Sequence, residues 1–169
     1  TEIPQAPVVE GFTFTGWEGN YTEVFADTMI HALFIEEEVE FNDSVTLGSG
    51  VIISAHAEKG IIPKGSRLQV IEVALNQSQS QVVENAAGEN NAIMYAYDIS
   101  ILAANGNTIQ PEDGQVQITF SNTQVLPGVA QSEGIDVVHV ADDASAANVM
   151  GSSDSTNSVS FATEHFSMF

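Results

Sequence analysis

Apolar and polar residues alternate along this chain in short runs, and clusters of Gly, Asn, Asp, Ser and Pro separate the runs. A two-residue period puts successive side chains on opposite faces of a strand, so the pattern predicts β-structure almost throughout. The first runs are residues 11–17 and 28–34, with Glu18-Gly19-Asn20 as a turn between them. Residues 39–41 and 45–47 read as brief strands around an Asn42-Asp43-Ser44 turn, and the β-branched run 51–57 follows. A Gly/Pro loop at 60–65 leads into a strand at 67–73. Residues 76–91 are rich in Gln, Ser, Asn and Gly and read as a loop, with a short helix over 80–87 as the helical alternative. Strands are then predicted at 92–102, 116–120 and 134–140, separated by a turn at Gly106 and a corner at 109–114. The acidic pair Asp142-Asp143 ends the last of these, a Ser/Asn/Gly-rich loop spans 150–158, and a final run covers 158–169. Strand number, spacing and turn chemistry predict an all-β class, an antiparallel β-sandwich, rather than an α/β arrangement. The pattern changes at residue 37, which predicts a small β unit over 1–36 and a larger module over 37–169.

The final run places a base near a nucleophile. Continued as one regular strand, it puts Val159, Phe161, Thr163, His165, Ser167 and Phe169 on one face, and Ser160, Ala162, Glu164, Phe166 and Met168 on the other. His165 and Ser167 would then be neighbours roughly 6.5–7 Å apart, too far for a hydrogen bond unless the chain kinks at Phe166. With such a kink, neutral His165 takes the Ser167 proton and the Ser167 oxygen attacks the carbonyl of Phe166. The amide becomes an ester by N-to-O acyl shift, and water hydrolyses the ester. The candidate catalytic residues are therefore His165, Phe166 and Ser167. The competing reading is a plain strand with a buried aromatic, a solvated His and a solvated Ser.

Charge narrows the partners. Twenty-three acids face three bases, a formal net charge of −20, and the bases Lys59, Lys64 and Arg67 lie close together. Phosphate binding needs a cationic surface, so nucleic acid is excluded, and anionic membranes repel the chain for the same reason. No run of about 18 apolar residues is present, so no membrane insertion is expected. The acidic stretches Glu36-Glu37-Glu38, Glu112-Asp113 and Asp142-Asp143 lack the spacing of a calcium loop, and no metal site or cofactor is expected. Cysteine is absent, which removes disulfides and catalytic thiols. His31, His56 and His139 read as surface or edge histidines without a ligand partner at metal spacing. His139 could support the cutting site, but nothing in the sequence places it there. A hydrolase elbow of the Gly-x-Ser-x-Gly kind is missing, so no activity on external substrates is expected.

Two resemblances add to this reading. Gly11-Phe12-Thr13-Phe14-Thr15-Gly16-Trp17 followed by His31-Ala32-Leu33-Phe34 resembles the closing half of an internalin B-type (Listeria–Bacteroides) repeat, a small β-grasp module of Gram-positive surface proteins. The loop Gly60-Ile61-Ile62-Pro63-Lys64-Gly65, the stretch from Tyr97-Asp98-Ile99-Ser100 to Gln110-Pro111-Glu112 and the closing His165-Phe166-Ser167 resemble a ZU-five-like domain with an autoproteolysis motif. The resemblances imply a piece of a longer extracellular protein at a bacterial cell surface, cut between Phe166 and Ser167. They imply other domains of the same protein as partners, with homotypic strand pairing at the open edge of the partial repeat as a further route. The alternative is a non-catalytic structural or adhesive module of the same surface protein.

Overall fold

The computed structural model describes residues 4–19, 29–88 and 94–169. The chain forms two compact units, Thr1–Glu38 and Val39–Phe169. In the first, β1 (Phe12–Glu18) pairs antiparallel with β2 (His31–Glu36), with Phe14 opposite Phe34 and Trp17 opposite Ala32. The Phe14 ring meets Trp17 at 5.4 Å and Phe34 at 5.8 Å, both edge-on, so half-buried Trp17 belongs to an aromatic cluster. The second strand begins later than its apolar run suggests, and residue 28 lies outside the described residues. This unit shows two strands among its described residues.

The second unit is all-β in class, with antiparallel strands and one α-helix among the described residues. Its first sheet has the order β11-β8-β4-β3, from β3 (Phe41–Thr46), β4 (Ile52–Ala57), β8 (Val116–Ser121) and β11 (Ser158–Thr163). Alternation fixes the register: Ile53 and Val159 both lie opposite Phe120, and Ala55 and Phe161 both lie opposite Ile118. These inward residues are buried, and their polar neighbours such as Ser160 and Gln117 face outward. The second sheet contains β5 (Arg67–Val73), β6 (Ala96–Leu102) and the short β7 (Thr108–Ile109), and separately the pair β9 (Ile135–Val140) and β10 (Ala147–Ser153). Ile99, Ile101, Leu68 and Val137 from this side join Ile53, Ile118, Phe120 and Phe161 from the first sheet in one apolar core. No helix among the described residues is long and apolar enough to cross a membrane.

Three elements depart from the sequence pattern. Asn42-Asp43-Ser44 is the middle of β3 rather than a turn, because these residues pair with His56, Ala55 and Ser54 of β4; the Asp43 carboxylate also accepts from the Ser44 N–H (2.8 Å) and from the Leu68 N–H on β5 (2.7 Å). Residues Gln77–Ala87 form α1, stabilised by a reciprocal cap. The Gln79 N–H donates to Asn76 Oδ1 (3.0 Å) and the Asn76 N–H donates to Gln79 Oε1 (2.9 Å), a box worth about 1 kcal/mol. Finally, residues 150–153 of the predicted Ser/Asn/Gly loop belong to β10. Its Gly151 lies so close to β11 that a Cβ would sit 3.0 Å from the Ser160 carbonyl oxygen, so the glycine permits the close packing of that strand.

The end of the final run matters most. Strand β11 stops at Thr163, whose hydroxyl donates to the His165 carbonyl (2.6 Å) and accepts from the His165 N–H (3.2 Å). A local side-chain turn of this kind competes with the ladder and takes the chain out of the first sheet. Residues 167–169 then lie between β6 and β9. The Tyr97 N–H donates to the Phe169 carbonyl (2.7 Å), the Phe169 N–H to Tyr97 (2.8 Å), the Ile99 N–H to Ser167 (2.9 Å) and the Val140 N–H to Met168 (2.9 Å). The segment thus joins the two parts of the second sheet.

Candidate functional site

Leaving β11 at Thr163 breaks the predicted alternation. Phe166 and Phe169 are both buried, whereas His165 is exposed. With its backbone held by β6, Ser167 directs its side chain toward β9. Its Oγ lies 2.7 Å from His139 Nε2 and 3.2 Å from the Val140 carbonyl oxygen. One hydroxyl hydrogen serves one acceptor at a time, so the shorter contact favours donation to Nε2 in the tautomer that carries its proton on Nδ1. That arrangement is a hydroxyl ready to lose its proton to an imidazole.

His139 sits half-buried near the end of β9, with its ring 5.0 Å from that of Phe169. Burial lowers its pKa below the ordinary histidine value. Asp142 pulls the other way, and the nearby His165 adds to the lowering. The imidazole is therefore kept neutral to lower pH than a free one, as a base must be.

The carbonyl on the amino side of Ser167 is also held. Gln110, just after β7, contacts Phe166 at two points: its Nε2 donates to the Phe166 carbonyl oxygen (3.1 Å) and its Oε1 accepts from the Phe166 N–H (2.7 Å). Pro111 restricts the Gln110 backbone to extended conformations, which suits this edge contact. The ring of His165 makes no hydrogen bond among the described residues.

The structure thus brings Phe166 and Ser167 of the predicted set together with His139 and Gln110, and leaves the His165 ring in solvent. Contacts 28 and 56 residues long in sequence leave no periodic trace. The usable signals were only a histidine near the end of a β-branched strand and a Gln-Pro corner.

Elsewhere, His56 bonds Asn42 at 2.8 Å on the surface, and His31 lies opposite Glu18. Asp143 is engaged in its own turn. A hydrogen bond with Ser145 holds its carboxyl below the usual carboxylate range, and the Ser145 N–H to Asp143 Oδ1 distance is 2.9 Å. Among the described residues no three His, Cys, Asp or Glu side chains group to hold a metal ion. On the sequence expectation of no metal site, millimolar calcium should raise the melting temperature no more than sodium chloride at matched ionic strength, through screening of the acidic surface. A larger, chelator-reversible rise in a thermal melt would show a calcium site. No family model, curated protein or solved structure matches this chain.

Proposed function

We propose that this chain is a self-processing module of a bacterial cell-surface protein, a ZU-five-like β-sandwich preceded by a partial β-grasp repeat, which cuts its own backbone between Phe166 and Ser167. One observation carries the reading: the Ser167 hydroxyl is within 2.7 Å of His139 Nε2, and the residue before it, Phe166 of the His165-Phe166-Ser167 triplet, carries the carbonyl to be attacked. The Ser167 proton passes to the imidazole as Oγ bonds to the Phe166 carbonyl carbon. The C–N bond then breaks and the proton returns to the Ser167 nitrogen, leaving Phe166 esterified to the Ser167 oxygen and a free amine on Ser167. Water hydrolyses the ester, giving a Phe166 carboxylate and restoring the Ser167 hydroxyl. General-base help contributes about 10²–10⁴ to such a step.

Intact mass spectrometry over days at neutral pH tests the reading. The chain is expected to separate into residues 1–166 and Ser-Met-Phe, faster with hydroxylamine, which attacks the ester. Ser167→Ala abolishes the cut because no oxygen remains, and Ser167→Cys retains part of it, since a thiolate is a competent nucleophile. Unchanged and equal masses for wild type and Ser167→Ala would refute self-cleavage.

A second reading draws on the four backbone hydrogen bonds that tie residues 167–169 to β6 and β9. On that reading the segment is a structural closure, and the chain is a non-catalytic structural or adhesive module whose partners are other domains of the same protein. An intact wild-type mass is its expected result.

A further inference from the structure

We infer that Gln110 is a catalytic residue of this cut: its side-chain amide is the donor that stabilises the oxyanion formed on the Phe166 carbonyl. The inference rests on the self-cleavage reading and adds to it a residue outside the His-Phe-Ser triplet.

The orientation of the amide follows from its partners. The Phe166 N–H can only donate, so the Gln110 atom facing it at 2.7 Å must be Oε1. The atom facing the Phe166 oxygen at 3.1 Å is then Nε2, a donor. Flipping the amide would set N–H against N–H and oxygen against oxygen, losing both bonds. Gln110 therefore stands beside Phe166 as a neighbouring strand would, with its N–H already on the oxygen where negative charge develops.

The surroundings hold this arrangement from both sides of the peptide. Phe166 is anchored by its buried ring, and the Ser167 carbonyl is held by the Ile99 N–H at 2.9 Å. Gln110 follows Ile109, which pairs with Ile101, and the next turn is tied by the Glu112 N–H to the Ile61 carbonyl at 3.3 Å. The peptide to be cut therefore meets a donor carried on backbone that is tied on both sides of Gln110. As Oγ adds to the carbonyl carbon, electrons move onto the Phe166 oxygen, and the Nε2–H bond strengthens with the growing charge. When the C–N bond breaks those electrons return, so Gln110 ends unchanged and needs no co-reactant. Donors placed in advance on a developing oxyanion commonly contribute about 10²–10³ in rate, and the solvent exposure of Gln110 sets the expectation at the lower end.

The test compares first-order cleavage of the full chain as wild type, Gln110→Glu and Gln110→Met, with melting temperature read in parallel. Gln110→Glu keeps an acceptor for the Phe166 N–H and removes the donor. Gln110→Met has a similar shape and removes both groups. Each is expected to slow the cut about 10²-fold, with a melting temperature near that of wild type. The slowing should persist in hydroxylamine, which speeds only the later ester step. Wild-type rates in both variants would overturn the assignment of Gln110 while leaving self-cleavage standing. Slowing that follows a fall in melting temperature and disappears on cooling would reduce Gln110 to a structural contact. A wild-type chain that stays whole would end both this inference and the reading it rests on.

Discussion

Replacing His139 with Ala is expected to slow cleavage at Phe166–Ser167 by about 10²–10⁴-fold, the loss of a general base. His139 is the imidazole on the Ser167 oxygen at 2.7 Å, and the exposed His165 makes no such contact. His165→Ala should therefore leave the neutral-pH rate close to wild type. The pH profile separates the two histidines further. Burial lowers the pKa of His139, Asp142 opposes that, and His165 adds to the lowering. The rate should accordingly fall with acid below the ordinary histidine value of about 6.5, not at it. Removing His165 takes away one contribution that lowers the His139 pKa, so it should move this acid limb slightly upward. The same shift has a consequence for stability. The unfolded chain takes its proton near pH 6.5 and the folded chain only at lower pH, so the unfolded state holds more protons across that window and stability declines as pH falls through it. Rates from intact mass between pH 5 and 8 check the acid limb and its shift, and urea unfolding of a Ser167→Ala chain over the same range checks the stability. Full loss in His165→Ala with an unaffected His139→Ala would return the base to the triplet.

Phe161→Ala is expected to produce the largest loss of stability, about 3–5 kcal/mol, because a buried ring is removed from a packed interior. Phe161 is 4% exposed and lies 6.1 Å from the ring of Phe120 and 5.1 Å from that of Phe169. Native domains are stable by only about 5–15 kcal/mol, so the change consumes a large share of the total. Phe169 in turn rests against His139, so a cavity at Phe161 also loosens the support of the base. Urea unfolding of wild type and variant, both carrying Ser167→Ala to prevent cutting, measures the difference. A change below about 1 kcal/mol would mean that the neighbouring rings collapse into the space, contrary to the close packing expected of interiors. A cleavage rate unchanged at low temperature would show that the ring stack does not position His139.

Alternation by itself was enough to determine β4, β8 and the body of β11. Ile53, Ala55, Val116, Ile118, Val159 and Phe161 each repeat every second residue and bury on one side, since burial of apolar side chains selects the register. The all-β class followed from the same local rule, whereas the proposed cut at Phe166–Ser167 came from the His165-Phe166-Ser167 triplet and its place at the close of the chain. Where a local hydroxyl or a close neighbour decided the outcome, the pattern misled. Thr163 captures the backbone of His165 and ends β11 early, and Gly151 makes a strand out of a loop-like composition by letting β10 approach β11. Only the tertiary structure could bring His139 and Gln110 to Ser167 and Phe166. The reason is physical: the chain leaves one sheet after Thr163 and residues 167–169 complete the other, so their neighbours are set by which strands that second sheet places beside them. A pairing of that kind depends on how distant segments fold together, and no spacing along the chain encodes it.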